Sequence, residues 1–120
     1  RTGQLTAVSE DHINQAPYFV YAGVWGDGEP WSVLTEEGTN HPELRTVSTK
    51  ASFAWHALYN TRYTARLMEA VMPLSDPQKG FAAGQYEADG AVNDVYTLNT
   101  NSIVLEAIHY MAFGPLWQVR

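Results

Sequence analysis

Apolar residues recur at helical spacing in three stretches, Ser48–Asn60, Arg62–Met72 and Thr100–Phe113. Spacing of i, i+3, i+4 and i+7 predicts a helix in each. In the first, Ala51, Ala54, Trp55, Leu58 and Tyr59 form one stripe, widened by Phe53 and Ala57, behind a cap at Ser48 or Thr49. The second aligns Tyr63, Leu67, Ala70, Val71 and Leu74 until Pro73 and Asp76-Pro77 stop the pattern. Only Asn60-Thr61 separates the two, which predicts an antiparallel helical hairpin. The third helix, starting at Asn99 or Thr100 and ended by Gly114-Pro115, is apolar on nearly every side. Ile103, Val104, Leu105, Ala107, Ile108, Tyr110 and Met111 leave Glu106 and His109 as its polar interior positions. Such a helix needs neighbours that 120 residues hardly supply. The expectation is one portion of a larger helical ring, or a partner chain that covers the apolar faces.

The rest of the chain is punctuated differently. Residues 1–47 are polar, aromatic and rich in turn signals. Ser9-Glu10-Asp11 reads as a helix start, a hydroxyl cap followed by acids, with room for one short turn before Ala16-Pro17. Tyr18–Trp25 and Trp31–Leu34 are β-branched and aromatic, and the Asp27-Gly28 pair between them favours the positive φ angles of a tight reversal. A small β-hairpin follows from that. Gln78–Asn93 reads as a loop with a reversal at Asp89-Gly90. No internal repeat or low-complexity tract is visible.

Charge and composition narrow the partners. Thirteen acidic residues against seven basic ones give a formal charge of -6, which repels nucleic-acid backbones and anionic lipid. A chain 45% hydrophobic and only 17% charged is not a disordered one. With no cysteine there is neither a disulfide framework nor a thiolate zinc site, and this absence fits cytoplasm and periplasm equally. No apolar run approaches a membrane span. Arg1-Thr2-Gly3-Gln4 carries neither an initiating methionine nor a signal-peptide core, the look of a processed or truncated start.

Candidate chemistry is sparse. Glu106-x-x-His109 has the spacing of a helical metal motif, but a bundle site needs that motif twice. A hydrogen-bonded polar pair inside a helix interface is the simpler reading, and no metal or cofactor is expected. His12, His41 and His56 show no ligand spacing, and no nucleophile elbow or phosphate-binding glycine loop occurs. Carboxylates remain, because glycoside cleavage needs one acid to protonate the leaving oxygen and another to activate water or attack the sugar. Glu10, Asp11, Glu36, Glu37 and Glu87 are available. Each also has a plain reading: Glu10 and Asp11 at a helix N-terminus, Glu36-Glu37 before a turn at Gly38, Glu87 in a solvated loop. Tyr18, Tyr21, Trp25, Trp31, Phe81 and Tyr86 lie in the loop-like segments. Their rings either stack on sugar C–H groups or pack the loops onto the helices.

Four runs carry a family resemblance: Leu5-Thr6-Ala7-Val8-Ser9-Glu10-Asp11, the segment from Ser48 to Tyr59, Gly80-Phe81-Ala82-Ala83-Gly84-Gln85-Tyr86-Glu87, and the block from Leu98 to Glu106. In this order they resemble a bacterial family of uncharacterised domains related to glucoamylase-like α/α toroids, whose members accompany exopolysaccharide or cell-envelope machinery. Ser52 and Ala83 depart from it, in ways that touch packing more than mechanism. The resemblance implies a mainly α fold, with helical hairpins arranged in a toroid and aromatic-rich loops gathered over a carbohydrate-sized cleft. The chain would be a single domain or the C-terminal part of that ring, in the bacterial periplasm or otherwise outside the cytoplasm, with a glycan as its ligand. The family supplies no catalytic residue. Chemistry within the matching runs nominates Glu10, Asp11 and Glu87 as catalytic carboxylates, and Tyr18, Trp25, Trp31 and Tyr86 as sugar-stacking rings. The expected activity is therefore glycoside hydrolysis. The alternatives are a non-catalytic glycan-binding or scaffold domain of a polysaccharide synthesis and export assembly, and an interaction module with no sugar ligand.

Overall fold

The computed structural model describes residues 3–117, so the start at Arg1-Thr2 lies outside the described residues. All three expected helices form, and local chemistry sets their ends. Helix α1 (Thr49–Tyr59) closes at Asn60, which takes the left-handed conformation (φ 44°) that asparagine tolerates and returns its N–H to His56 O at 2.9 Å. Helix α2 (Arg62–Val71) starts with a reciprocal cap. Thr64 N–H donates to Thr61 Oγ1 at 3.2 Å and Thr61 N–H donates to Thr64 Oγ1 at 2.8 Å, a threonine standing where such boxes usually carry Glu or Gln. Pro73 then turns the chain through a short 3-10 segment, Met72–Leu74. Helix α3 (Leu98–Phe113) begins earlier than its pattern suggests, because Thr97 caps it by accepting from Thr100 N–H at 3.0 Å. Gly114, at φ 81°, ends it.

Around the helices, the segments without helical periodicity are built from very short strands. Strands β1 (Glu10–His12), β2 (Phe19–Ala22) and β5 (Val33–Leu34) form one antiparallel sheet in the order β1-β2-β5. Between β2 and β5, β3 (Trp25–Gly26) and β4 (Glu29–Pro30) make a tight hairpin, with Asp27 and Gly28 at φ 47° and 80°. A second sheet runs β10-β9-β6, from β6 (Thr46–Ser48), β9 (Gly84–Tyr86) and β10 (Val92–Asn93), and β7 (Ser75–Asp76) pairs with β8 (Gly80–Phe81). Gly84 has a steric reason: a Cβ there would meet the Val47 carbonyl oxygen at 2.5 Å, so only glycine lets β9 approach β6.

This architecture overturns the mainly α, toroidal expectation. Among the described residues there are three helices and ten strands in four antiparallel sheets, which is a small mixed α/β domain and not a ring of helical hairpins. Two local expectations change with it. Ser9-Glu10-Asp11 does not open a helix; Glu10, Asp11 and His12 alternate out, in, out along β1, opposite Tyr21, Val20 and Phe19. Gln78–Asn93 is no plain loop, since it supplies β8, β9 and β10.

Two apolar clusters hold the domain together. The larger joins Val47 to Phe53 of α1, Leu67 and Val71 of α2, and Val104 and Ala107 of α3; the smaller joins Ile13, Val20, Val33, Leu44 and Tyr86. Helix α1 buries the wrong end for a simple amphipathic reading. Its first turn is polar and buried: Thr49 Oγ1 donates to Ala82 O at 2.7 Å, Ser52 Oγ donates to Ser48 O at 2.7 Å, and Lys50 is 5% exposed. Its last turns are aromatic and open, with Trp55 45% and Tyr59 60% exposed. Helix α3 likewise buries Val104 and Ala107 and leaves Leu105 67% exposed, with Ile108 and Phe113 also open. No helix among the described residues is long and apolar enough to cross a membrane.

Candidate functional site

Two concavities flank α1, and they share no lining residue. At about 100° per residue, Lys50 and Tyr59 project from roughly opposite sides of the helix. Lys50 meets Asn99 at the start of α3, whereas Trp55 and Tyr59 open toward α2.

The first concavity is an open groove of about 350 Å³ between the N-terminal segment and the α1–α2 pair, lined by Thr6, Val8, Trp31, Trp55, Tyr59, Thr61, Tyr63 and their neighbours. None of its lining side chains is a carboxylate or an amine. Trp55 and Tyr59, one turn apart, stack with ring centroids 5.3 Å apart and planes 30° from parallel. Tyr63 is fixed at both ends of a small circuit, accepting from Thr6 N–H at 2.8 Å and donating to Thr6 O at 3.0 Å. Trp31 lies over Arg45, whose Cζ is 5.5 Å from the ring centroid.

Behind Trp31 sits a charged pair. Arg45 Nε is 3.6 Å from Glu87 Oε2, and both side chains are largely buried. Burial raises the Glu87 carboxyl above its usual range, against the lowering effects of the Thr6 hydroxyl and the Arg45 guanidinium. Arg45 Nη1, Glu87 Oε1 and Thr6 Oγ1 are buried without a well-formed hydrogen bond within the protein, the Thr6 hydroxyl acting on Glu87 from close by.

The second concavity is a smaller cleft of about 220 Å³ lined by Glu10, Asp11, His12, Phe19, Lys50, Thr97 and Asn99. Strand β1 turns Asp11 inward, where it is 4% exposed. The Lys50 ammonium donates to Asn99 Oδ1 at 2.8 Å and lies 3.6 Å from Asp11 Oδ1 and 3.7 Å from Glu10 Oε1. Burial pushes the Asp11 pKa up to about 6, with the Lys50 charge and the Ser48 hydroxyl opposing in part. Its second oxygen, Oδ2, and the Ser48 hydroxyl are both buried without a well-formed hydrogen bond.

The structure therefore divides the residues nominated from the sequence. Glu10 and Asp11 come together at one lysine, while Glu87 pairs with Arg45 and does not line that cleft. Glu36 and Glu37 are exposed in the turn that Gly38 closes. Of the rings, Trp31 lines the groove, whereas Tyr18 and Trp25 stand exposed on the β side. Tyr86 is buried in the smaller core with its hydroxyl donating to Asn14 Oδ1 at 2.7 Å, and Phe81 packs edge-on against Phe53. Glu106 and His109 are not hydrogen-bonded to each other; His109 Nδ1 is buried without a partner. Among the described residues no three His, Asp or Glu side chains gather to hold a metal ion.

Sequence reasoning missed Lys50, Asn99, Trp55, Tyr59 and Tyr63 as site residues. Trp55 and Tyr59 follow a core-like stripe, and only the preceding run of small polar residues, Ser48, Thr49 and Ser52, signals that the buried end lies elsewhere.

No curated protein and no solved structure matches the chain. A family model described as "Protein of unknown function (DUF3131)" matches residues 1–114, and the chain belongs to that family.

Proposed function

We propose that this domain binds a neutral glycan in the groove beside α1 and α2. One observation carries the reading: Trp31, Trp55, Tyr59 and Tyr63 converge on a single open groove whose remaining lining is aliphatic or threonine and carries no charged side chain. Sugar rings present apolar C–H faces that stack on such aromatic platforms, while the Thr61 and Thr64 hydroxyls are already spent on the α2 cap, so stacking supplies most of the contact. The Trp55–Tyr59 stack and the doubly bonded Tyr63 hold the platform before any ligand arrives, which limits the ordering cost of binding. A lone apolar groove would suit many ligands; the resemblance to exopolysaccharide-associated domains is what favours a glycan. The same resemblance favours a site of action outside the cytoplasm, a reading that recovery of the intact parent protein in the cytoplasmic fraction would remove.

Affinity electrophoresis through gels containing soluble α- or β-glucans tests the binding. Retardation by at least one glucan, weakened about tenfold in Trp55→Ala or Trp31→Ala, is expected from the loss of a stacking ring. No retardation across neutral glucans, or retardation indifferent to both substitutions, rejects the groove as a glycan site.

Hydrolysis is a second reading, favoured by Asp11. A carboxyl with its pKa near 6 is suited to donate a proton at neutral pH, and Glu10 shares its lysine, so two carboxylates stand within reach of each other. Reducing-sugar release that disappears in both Glu10→Gln and Asp11→Asn is the expected signature. Binding without release leaves the domain a non-catalytic glycan binder.

A further inference from the structure

The cleft at Lys50 lies on the other flank of α1 from the aromatic groove, and its charges do not balance. One ammonium faces two carboxylates, and Lys50 is already committed to Asn99 as well. Asp11 turns Oδ1 toward Lys50 and leaves Oδ2 without a well-formed hydrogen bond within the protein, the buried Ser48 hydroxyl lying close by, although the side chain is more than nine-tenths buried and lines the cleft. A buried carboxylate oxygen lacking a donor costs free energy until something supplies one. Glu10, at the lip, is more than half exposed and offers a second acceptor to anything entering. The remaining walls are Thr97, Asn99 and the rings of His12 and Phe19, the rings packed edge to face at 4.8 Å. At about 220 Å³ the space is smaller than the roughly 300–1,000 Å³ of drug-sized sites, which suits a single ring.

A ligand that fits must bring a donor, preferably a positive one, on a compact body with an apolar face. Anions meet the two carboxylates and are repelled. We propose that this cleft binds an amino-sugar residue, its protonated primary amine placed between Glu10 and Asp11 and its ring laid against Phe19. The ammonium half stands on the charge imbalance alone, while the sugar half rests on the glycan reading of the groove. Lys50 holds the two carboxylates in place and so acts as a positioning residue. The titratable groups that face Asp11 are Glu10 and His12 on β1 and Lys50 on α1; Thr97 and Asn99 ahead of and within α3 are neutral.

Calorimetry on the full chain with three probes decides this: a glucosamine trimer, an N-acetylglucosamine trimer and ethanolamine. In Trp55→Ala, where the groove is impaired, the glucosamine trimer is expected to bind about tenfold or more tightly than its acetylated counterpart, because acetylation removes the charge. Glu10→Gln, a change at an exposed position, should erase that preference, and so should Asp11→Asn. Equal affinity for the two trimers, no binding of either, or a preference that survives Glu10→Gln overturns the proposal. Ethanolamine binding as tightly as the glucosamine trimer would overturn the sugar half and leave an amine site. A failure of the groove is read separately, from neutral glucans that are not retarded by the wild-type protein.

Discussion

The two ends of α1 invert the usual relation between polarity and burial. At its start, Thr49, Lys50 and Ser52 are buried, their polar atoms tied to Ala82, Asn99 and Ser48; at its end, Trp55, Leu58 and Tyr59 are open. Charged side chains are rarely buried unless paired, and lone exposed rings are common, but an exposed stack lining a groove is not random surface. Stability favours the opposite placement at both ends. The difference sets a fixed group of charges on one flank of the helix and a preformed aromatic face on the other.

The largest expected effect breaks the polar end. Lys50→Met leaves Asp11 and Glu10 without their cation, and removing one member of a buried pair costs about 3–5 kcal/mol, read by urea denaturation at pH 7. The double variant Lys50→Met with Asp11→Leu should recover most of that loss, since no buried charge then remains. Recovery of nothing would mean that Lys50 matters through its packing alone.

A pH series sharpens the same end. The folded-state pKa of Asp11 is raised, from 3.8 to about 6, so the protonated form favours the fold. Its contribution is complete below the unfolded value and is lost as pH rises through about 6. Relative to Asp11→Asn, wild-type stability should therefore fall by up to about 3 kcal/mol between pH 4 and pH 7.5, at roughly 1.4 kcal/mol per pKa unit. A flat difference, or one of opposite sign, would show that Asp11 stays ionised across this range.

At the aromatic end the stability effect should be the smallest. Trp55→Ala and Tyr59→Ala remove half-exposed rings, and each should change unfolding free energy by no more than about 1 kcal/mol. A loss comparable with that of Lys50→Met would make these rings part of the core and not a recognition surface.

The helices were readable because periodicity and punctuation are local. Asn60 and Gly114 stop α1 and α3 where turn chemistry says they should. Strands of two or three residues leave no such trace, since what defines them is a partner far along the chain, as Thr46 finds in Tyr86 and Ser48 in Gly84. That is why segments read as loops proved to be sheet, and why the toroid reading failed. The site was half visible for the same reason. Glu10 and Asp11 announce themselves as carboxylates, but Lys50 gains its meaning only from burial, which composition argues against for a lysine. Glu87 resembles a solvated loop acid until β9 returns it beside Arg45. Trp55 and Tyr59 have the spacing of a core stripe, and spacing does not say which side of a helix its neighbours cover.

The most direct test of the aromatic end follows the tryptophan indole N–H signals by NMR while a neutral glucan tetrasaccharide is added. Trp31 and Trp55 should shift together and saturably, while Trp25, which is 68% exposed and is not part of the groove lining although its neighbour Val24 is, shifts less. Unmoved Trp31 and Trp55 signals, or a response confined to Trp25, would contradict the groove as the surface that meets the glycan.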